Sequence, residues 1–168
     1  MKEIIPNIFI HNDKKKVLGR VGIRIKEYDG SNLIDEFWVP RKNLVVRQGR
    51  IEECHIIAGD DIANRVATYL AVGDQGNVAG DPFTPVPPTA DDTALNHEVF
   101  RKQISSHSYP VDTTVEFYTI ITQSEANGYN LTEAGLFCLN NSLFARITFE
   151  VIPKTAARTI EFFWRIIY

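Results

Sequence analysis

Short runs of β-branched and aromatic residues, separated by turn-forming residues, recur along this chain and limit it to a strand-rich fold. In residues 113–122, valine, isoleucine, phenylalanine and tyrosine are interspersed with threonine, a composition typical of strands. Residues 135–139 and 143–149 flank an Asn-Asn-Ser turn and predict a hairpin, and residues 160–168 predict a final strand. Few segments have helical spacing. The sequence therefore predicts an all-β fold, an antiparallel β-sandwich.

The first 60 residues predict an N-terminal segment rich in β-hairpins. Residues 12–16 predict a basic hairpin tip, the alternation in residues 21–26 predicts a half-buried strand, and Asp-Gly at residues 29–30 predicts a tight turn. We interpret the apolar run in residues 53–58 as part of the same strand-rich pattern. This segment carries 11 basic and 9 acidic residues, whereas the remainder carries 7 and 12.

We therefore divide the chain into two parts. Residues 1–60 form an N-terminal β-rich segment, which is a possible docking element or small domain. Residues 61–168 form the β-sandwich. Inside the second part, residues 73–92 hold three glycines and four prolines and predict one long loop. Loops of this length are uncommon inside compact domains and are often functional, and prolines stiffen them.

Five large apolar residues are candidates for an interface. Two of them lie in the long loop, where apolar side chains usually mark a contact. The other three lie in the N-terminal segment and exceed what a short segment needs for a core of its own. The alternative for both groups is packing against the parent domain of the same chain. The candidates are Phe9, Phe37, Trp38, Phe83 and Val86.

Composition and charge exclude several classes of protein. The formal net charge is −3, and the basic clusters lack interleaved aromatic residues, so we expect no nucleic-acid partner. No run of about 18 apolar residues is present, so we expect no transmembrane helix. The first residues do not fit a signal peptide. Cys54 and Cys138 form no CxxC pair, and we expect synthesis in a reducing cytosol.

Candidate catalytic and metal-binding residues each have a simpler interpretation. Asp74, Asn77 and Asp81 lie in a glycine-rich loop that could suit calcium, but their spacing does not match an EF-hand and turn residues are the preferred interpretation. Glu98 and Glu133 could form the carboxylate pair of an enzyme that degrades cell-envelope polysaccharide. A salt bridge or capping role is preferred for Glu133. No nucleotide-binding or nucleophile motif is present, and we expect neither enzymatic activity nor a cofactor.

Seven short motifs, in this order, resemble a domain found in tail-fibre, tail-collar and baseplate-attached proteins of tailed bacteriophages. The motifs are YLAVGD at 69–74, DTALNHEVFR at 92–101, SEANG at 124–128, LTEAGLF at 131–137, LFAR at 143–146, KT at 154–155 and FWRI at 163–166. The resemblance covers about residues 62–168. Its motif residues are Glu133, Gly135, Leu136, Phe137, Arg146, Lys154 and Trp164.

The resemblance implies a structural virion protein that is made in the host cytoplasm and resides in the tail or baseplate. Its implied role is that of a baseplate or tail-tip adaptor that connects the tail to fibres, with other tail proteins and fibres as partners. Because fibres in this context are usually trimeric, we expect a homo-oligomer, with a trimer favoured. The alternative is a carbohydrate-binding receptor module, in which Trp38, Tyr109 or Tyr129 would stack on sugar rings.

Two strand predictions concern the core. Leu136 and Phe137 should lie on a strand with at least one of them buried, and Gly135 should allow close backbone approach. In the final strand, alternation places Trp164 on a wholly apolar face that should meet the core, and Phe163 on the opposite, partly exposed face.

Overall fold

A computed structural model describes residues 18–168 of the chain. The predicted hairpin tip at residues 12–16 and the interface candidate Phe9 lie outside the described residues. The elements, in chain order, are β1 (Leu18–Asp29), β2 (Asn32–Val45), α1 (Arg47–Ala58), α2 (Ile62–Arg65), β3 (Ala67–Gly73), β4 (Glu98–Gln103), β5 (Ser106–Val111), β6 (Thr114–Ile121), β7 (Asn130–Cys138), β8 (Leu143–Pro153) and β9 (Arg158–Ile167).

All nine strands belong to one antiparallel sheet, and the predicted all-β class is confirmed. The strand order is β4-β3-β7-β8-β2-β1-β9-β6-β5, and the sheet curls into a half-barrel. Strand β2 joins the two halves of this sheet, because it pairs with β1 along its length and with β8 through Leu44 and Val45. A sandwich has two separate sheets, whereas here the long strand β2 connects the two halves into a single sheet.

The concave side of the half-barrel holds the main core. Alternate residues of β9 are buried there, including Trp164 at 0% exposure, as the sequence alternation predicts. Val21, Ile23 and Ile25 of β1 belong to the same core as Leu136 of β7. Residues 18–45 of the predicted N-terminal segment therefore share both the sheet and the core with residues 61–168.

The prediction of strand-like structure in residues 53–58 is wrong, because this run lies in helix α1. The buried residues of α1 are Gly49 and Glu52, and neither is apolar, so the usual apolar signature of a helix is missing. A Cβ on Gly49 would lie 2.1 Å from the Phe144 carbonyl oxygen, which explains how closely α1 packs on β8. Gly59, with φ of 83°, ends the helix in the left-handed conformation that glycine adopts readily.

Strand β2 continues past Pro40, although proline within a strand is confined to edges and strand ends. Pro40 pairs with Gly22 of β1, and residues 32–43 of β2 have no second strand beside them in the described sheet. Because proline lacks an N–H donor, it is tolerated in a strand where one side is unpaired. Residues 32–43 therefore form an unpaired edge, although β2 is the central strand in the order of the sheet.

Candidate docking surfaces

Glu133 is the centre of a buried polar network that ties the long loop to the sheet. The side chain lies on β7, is fully buried, and accepts hydrogen bonds from the backbone N–H groups of Asn96 and His97, both at 3.0 Å. It also accepts a hydrogen bond from Arg146 of β8 at 2.6 Å. Gly73 leaves room for this contact, because a Cβ there would lie 2.7 Å from the Glu133 carboxylate. Glu133 therefore anchors the end of the loop.

Asp92 extends this network to the loop surface. The Arg146 guanidinium donates to the Asp92 carboxylate at 2.7 Å, and the Thr89 hydroxyl and N–H donate to the same group. Burial raises the pKa of Asp92, but the hydrogen bonds from Thr89 and Arg146 outweigh burial and hold the pKa below its ordinary value. Asp92 therefore holds a turn with Thr89, three residues before it, and joins this turn to β8 through Arg146.

The middle of the loop lies along β8 and projects a large apolar side chain. The Thr148 hydroxyl donates to the Val86 carbonyl at 2.9 Å, and the Val151 N–H donates to the Pro82 carbonyl at 3.0 Å. With its backbone held in this way, the loop exposes 67% of Phe83 and 43% of Val86. Both interface candidates of the loop are therefore accessible.

The three residues weighed as calcium ligands have other partners. Asp74 bonds to the His97 ring at 2.6 Å, Asn77 donates to the Pro82 carbonyl, and Asp81 accepts from the Phe83 N–H at 3.0 Å. Among residues 18–168, no group of three potential metal-binding side chains lies together. Their contacts are those of residues that shape turns.

The two carboxylates weighed as a catalytic pair have different surroundings. Glu98 lies near the surface and forms an ion pair with Arg101 at 2.6 Å, whereas Glu133 is enclosed by hydrogen-bond donors. The preferred interpretation of Glu133, a buried ion pair, matches its contacts.

Burial raises the pKa of the Cys138 thiol to about 12, so this thiol is protonated at neutral pH.

The remaining motif residues hold the fold together. Lys154 is buried, and its ammonium donates to the Asn127 side chain at 2.7 Å and to the Thr155 carbonyl at 2.9 Å. Burial lowers the pKa of Lys154. Phe137 is 2% exposed, with the Arg101 guanidinium 4.0 Å from its ring centre. A Cβ on Gly135 would lie 2.9 Å from a side-chain carbon of Leu143, so side chains, and not another backbone, pack closely on this glycine.

The sheet does not close, and a groove lies along the seam between its two edges. Strands β4 and β5 are the outermost strands but follow each other in the chain, and the residues that join them bond to Thr68 of β3 and Tyr118 of β6. Beyond this junction is a cavity of about 820 Å³ that is open to solvent. Its apolar lining includes Ile56, Ile57, Tyr109, Phe117, Phe144 and Tyr168.

Strand β5 gives this groove an unpaired backbone edge and an acidic rim. All six residues of β5 are exposed, and the strand has only β6 as a neighbour. Glu53 and Asp112 line the groove, and within residues 18–168 neither takes part in an ion pair. Tyr168 donates to Glu53, and burial together with this hydrogen bond raises the pKa of Tyr168.

A second exposed surface lies on the convex side of the sheet. Trp38 is 50% exposed, and its ring lies over Gly22, where a Cβ would be 3.1 Å from the indole. The Trp38 and Phe163 ring centres are 5.3 Å apart. Phe37, the next candidate along β2, lies on the opposite face of the strand, in register with Ile25, and is 39% exposed. The structure therefore leaves Trp38 and Phe163 accessible, as the alternation in β9 predicts for Phe163.

Sequence reasoning did not find the groove. Its wall combines Ile56 and Ile57 of α1 with Tyr109 of β5 and Tyr168 at the chain end, which are far apart in sequence. One available signal was the pair of adjacent isoleucines, because successive residues of a helix point about 100° apart, so one of the two can turn away from the element that the other contacts. Ile57 is in fact 87% exposed.

The comparisons with known proteins identify no relative for this chain. No family model, no curated protein and no solved structure matches it. Within residues 18–168, no helix has the length and apolar character needed to span a membrane.

Proposed function

We propose that this chain is a structural protein of a bacteriophage tail, made in the host cytoplasm and assembled into the virion. In this proposal it is a baseplate or tail-tip adaptor that connects the tail to fibres, and it works as a homo-oligomer, with a trimer favoured. The motif resemblance over residues 62–168 supplies the biological setting. Other tail or baseplate proteins and the fibres are its partners.

The observation that carries the proposal is the seam groove. Edge strands expose unpaired N–H and C=O groups, and proteins that fold alone usually cover or charge such edges. Here β5 carries no acidic, Lys or Arg side chain, Pro110 removes one N–H donor near its end, and residues 106–109 keep an unpaired edge that borders an apolar cavity. A strand from a neighbouring protein can pair with such an edge while its alternate side chains fill the adjacent pocket.

The chemistry of the groove defines the segment that would occupy it. An extended chain whose alternate residues are apolar fits the wall formed by Ile57 and Phe117. Glu53 and Asp112 favour a segment that also carries basic residues, because opposite charges improve the specificity of a contact. We therefore assign the groove to a strand of an adjacent tail or fibre protein in which alternate residues are apolar and some of the others are basic. Phe83 and Val86 offer a second contact on the loop.

A substitution in the groove tests the proposal. Ile57→Asp places a charge in the apolar wall at a side chain that is 87% exposed, so the fold should persist. Ile62→Asp, at an exposed isoleucine that does not line the groove, is the matched control. Phage carrying Ile57→Asp should assemble tails with fewer fibres in negative-stain images, whereas the control should keep all its fibres.

Two results would contradict the adaptor function. Tails that lack this protein altogether and still carry every fibre would remove its proposed role. Ile57→Asp tails with a full set of fibres would leave the groove without a function in attachment. Circular dichroism of both purified variants establishes that neither result comes from unfolding.

The second candidate function is a carbohydrate-binding receptor module. The observation that favours it is the half-exposed Trp38 beside Phe163 on the convex face, since exposed aromatic rings stack on the C–H faces of sugars. Tyr109 lies in the seam groove and Tyr129 on a separate turn, so neither adds to this surface. Binding of the isolated protein to host cells tests this function, and no binding would exclude it.

A further inference from the structure

The convex face carries a continuous row of aromatic rings across four strands. Phe163 of β9 lies between Trp38 of β2 and Tyr118 of β6, with ring centres 5.3 and 5.1 Å away. Gly22 of β1 pairs with Phe163 and with Pro40 of β2, and because Gly22 has no side chain, the Trp38 ring can lie over it and reach Phe163. Four strands at spacings of about 4.8 Å make this apolar strip about 14 Å wide.

Charged side chains border the aromatic row on one side. The Arg24 guanidinium lies 5.2 Å from the ring centres of both Trp38 and Phe163 and forms an ion pair with Glu161. Lys26 reaches the same carboxylate at 3.4 Å. Two cations therefore share one carboxylate. Strand register also places Glu36 beside Lys26, so the charges of this border balance and the excess positive charge of the face lies on its other side.

A second set of cations borders the row on the other side. Strand register places Lys42 beside Arg20, and Arg20 beside Arg165. Arg165 has an ion pair with Glu116 at 2.6 Å, whereas Arg20 and Lys42 are exposed and take part in no ion pair within residues 18–168.

The face as a whole is cationic on an anionic protein. Five basic residues and three acidic residues point outward around the aromatic row, which gives a net charge of +2, whereas the whole chain has −3. The basic residues are Arg20, Arg24, Lys26, Lys42 and Arg165, and the acidic residues are Glu36, Glu116 and Glu161.

We propose that this platform, defined by Trp38, Phe163, Tyr118 and the charged residues that border them, binds an acidic polysaccharide. The apolar C–H faces of sugar rings would lie on the aromatic row. Carboxylate groups of the polysaccharide would pair with the guanidinium and ammonium groups. The inference deepens the second candidate function and rests on it, while adaptor function through the seam groove does not depend on it.

The shape of the aromatic row favours a polysaccharide over single-stranded nucleic acid. Charge does not separate the two ligands, because Glu161 and Glu116 are engaged in ion pairs and would repel carboxylates and phosphates alike. The rings pack against one another at 5.1 and 5.3 Å, which leaves a continuous surface and no slots into which separate bases could insert.

Binding measurements on the full chain test the site. The probes are polygalacturonate, hyaluronate and polysialic acid, with neutral dextran and an oligothymidylate as comparators. We expect at least one acidic polysaccharide to bind more tightly than dextran and the oligonucleotide. Trp38→Ala should weaken that binding about tenfold or more, whereas Tyr129→Ala, at an exposed tyrosine on another surface, should leave it unchanged.

The ionic part of the recognition has its own test. Arg20→Glu combined with Lys42→Glu should weaken binding and reduce its dependence on sodium chloride, because two attractive charges become repulsive. Arg50→Glu, on the exposed side of α1, is the control for a change of overall charge and should have little effect.

Three outcomes would overturn the site assignment. These are no binding of any acidic probe, equal loss of binding in Trp38→Ala and Tyr129→Ala, or tighter binding of the oligothymidylate. None of them affects the fibre count in phage with Ile57→Asp, which tests the adaptor function separately. Unchanged melting temperatures of the variants establish that a loss of binding is local.

Discussion

The two halves of the half-barrel differ in how many faces of the sheet are covered. In β7 and β8, residues 131–138 and 143–149 are all buried, because the long loop covers their outer face. In β1, buried Val21, Ile23 and Ile25 alternate with less buried residues, because the outer face meets solvent. We call these the closed half and the open half.

This difference assigns separate tasks to the two halves. In the closed half, charged groups such as Glu133 and Arg146 are buried and hold the loop in place. In the open half, aromatic side chains such as Trp38 and the residues of β5 remain accessible. The comparison teaches that the motif residues maintain the framework, while the surfaces available for partners lie mostly outside the motifs.

Removal of an ion-paired carboxylate from each half should give the largest difference in the free energy of unfolding. Glu133→Ala removes an ion-pair partner of Arg146, whose side chain is only 7% exposed, and the acceptor of two backbone N–H groups. We therefore expect the free energy of unfolding to fall by about 3–5 kcal/mol. Glu161→Ala leaves Arg24 and Lys26, which reach solvent, and should cost about 1 kcal/mol. Urea denaturation measures both, and equal losses would contradict the distinction.

Aromatic truncation makes the same comparison without charge. Phe137→Ala in the closed half creates a cavity around a side chain that is 2% exposed and should cost about 3–5 kcal/mol. Phe163→Ala in the open half removes a half-buried ring and should cost about 1–2 kcal/mol, because no enclosed cavity results. Thermal denaturation distinguishes the two, and an unchanged Tm for Phe137→Ala would refute its place in the core.

Acidification should act on the closed half through Asp92. Its folded pKa lies below its ordinary value of 3.8, so its contribution to stability is complete above that value and is lost as the pH falls through the folded pKa. Asp92→Asn should therefore lose less Tm than the wild type between pH 7 and pH 3. Identical pH profiles for the two proteins would show that Asp92 does not couple the loop to stability.

Strands of both halves follow from the sequence, because the hairpin predicted at residues 135–139 and 143–149 lies in β7 and β8, whereas helix α1 does not follow from it. The alternation in β9 predicts the buried Trp164 and the accessible Phe163, since one face of that strand remains open. The sequence did not predict helix α1, because Glu52 occupies a buried position of the helix where an apolar residue is usual. Hydrogen bonds from Gln48 and Arg65 satisfy its carboxylate there.

The candidate surfaces were only partly predictable for a related reason. Phe83 is an interface candidate because it lies in a loop, and Trp38 because the N-terminal segment holds more aromatic residues than a short segment needs for its core. The structure leaves both accessible. The seam groove depends on the position at which the sheet fails to close, and this is set by pairings such as those of β6 with β9. No local pattern contains such long-range information.

The smallest expected effect concerns the seam groove. Ile57→Ser removes an apolar side chain that is 87% exposed, so the free energy of unfolding should change by less than about 0.5 kcal/mol. A chemical denaturation curve checks this value. A loss of several kcal/mol would show that Ile57 supports the fold, and the groove would then no longer be a surface reserved for a partner.

A cryo-EM map of the assembled tail tests the central claim most directly. The account predicts several copies of this chain around the tail axis, with three favoured, and a strand of a neighbouring tail or fibre protein paired with β5 in each seam groove. A single isolated copy whose groove and loop residue Phe83 contact no other protein would contradict the account.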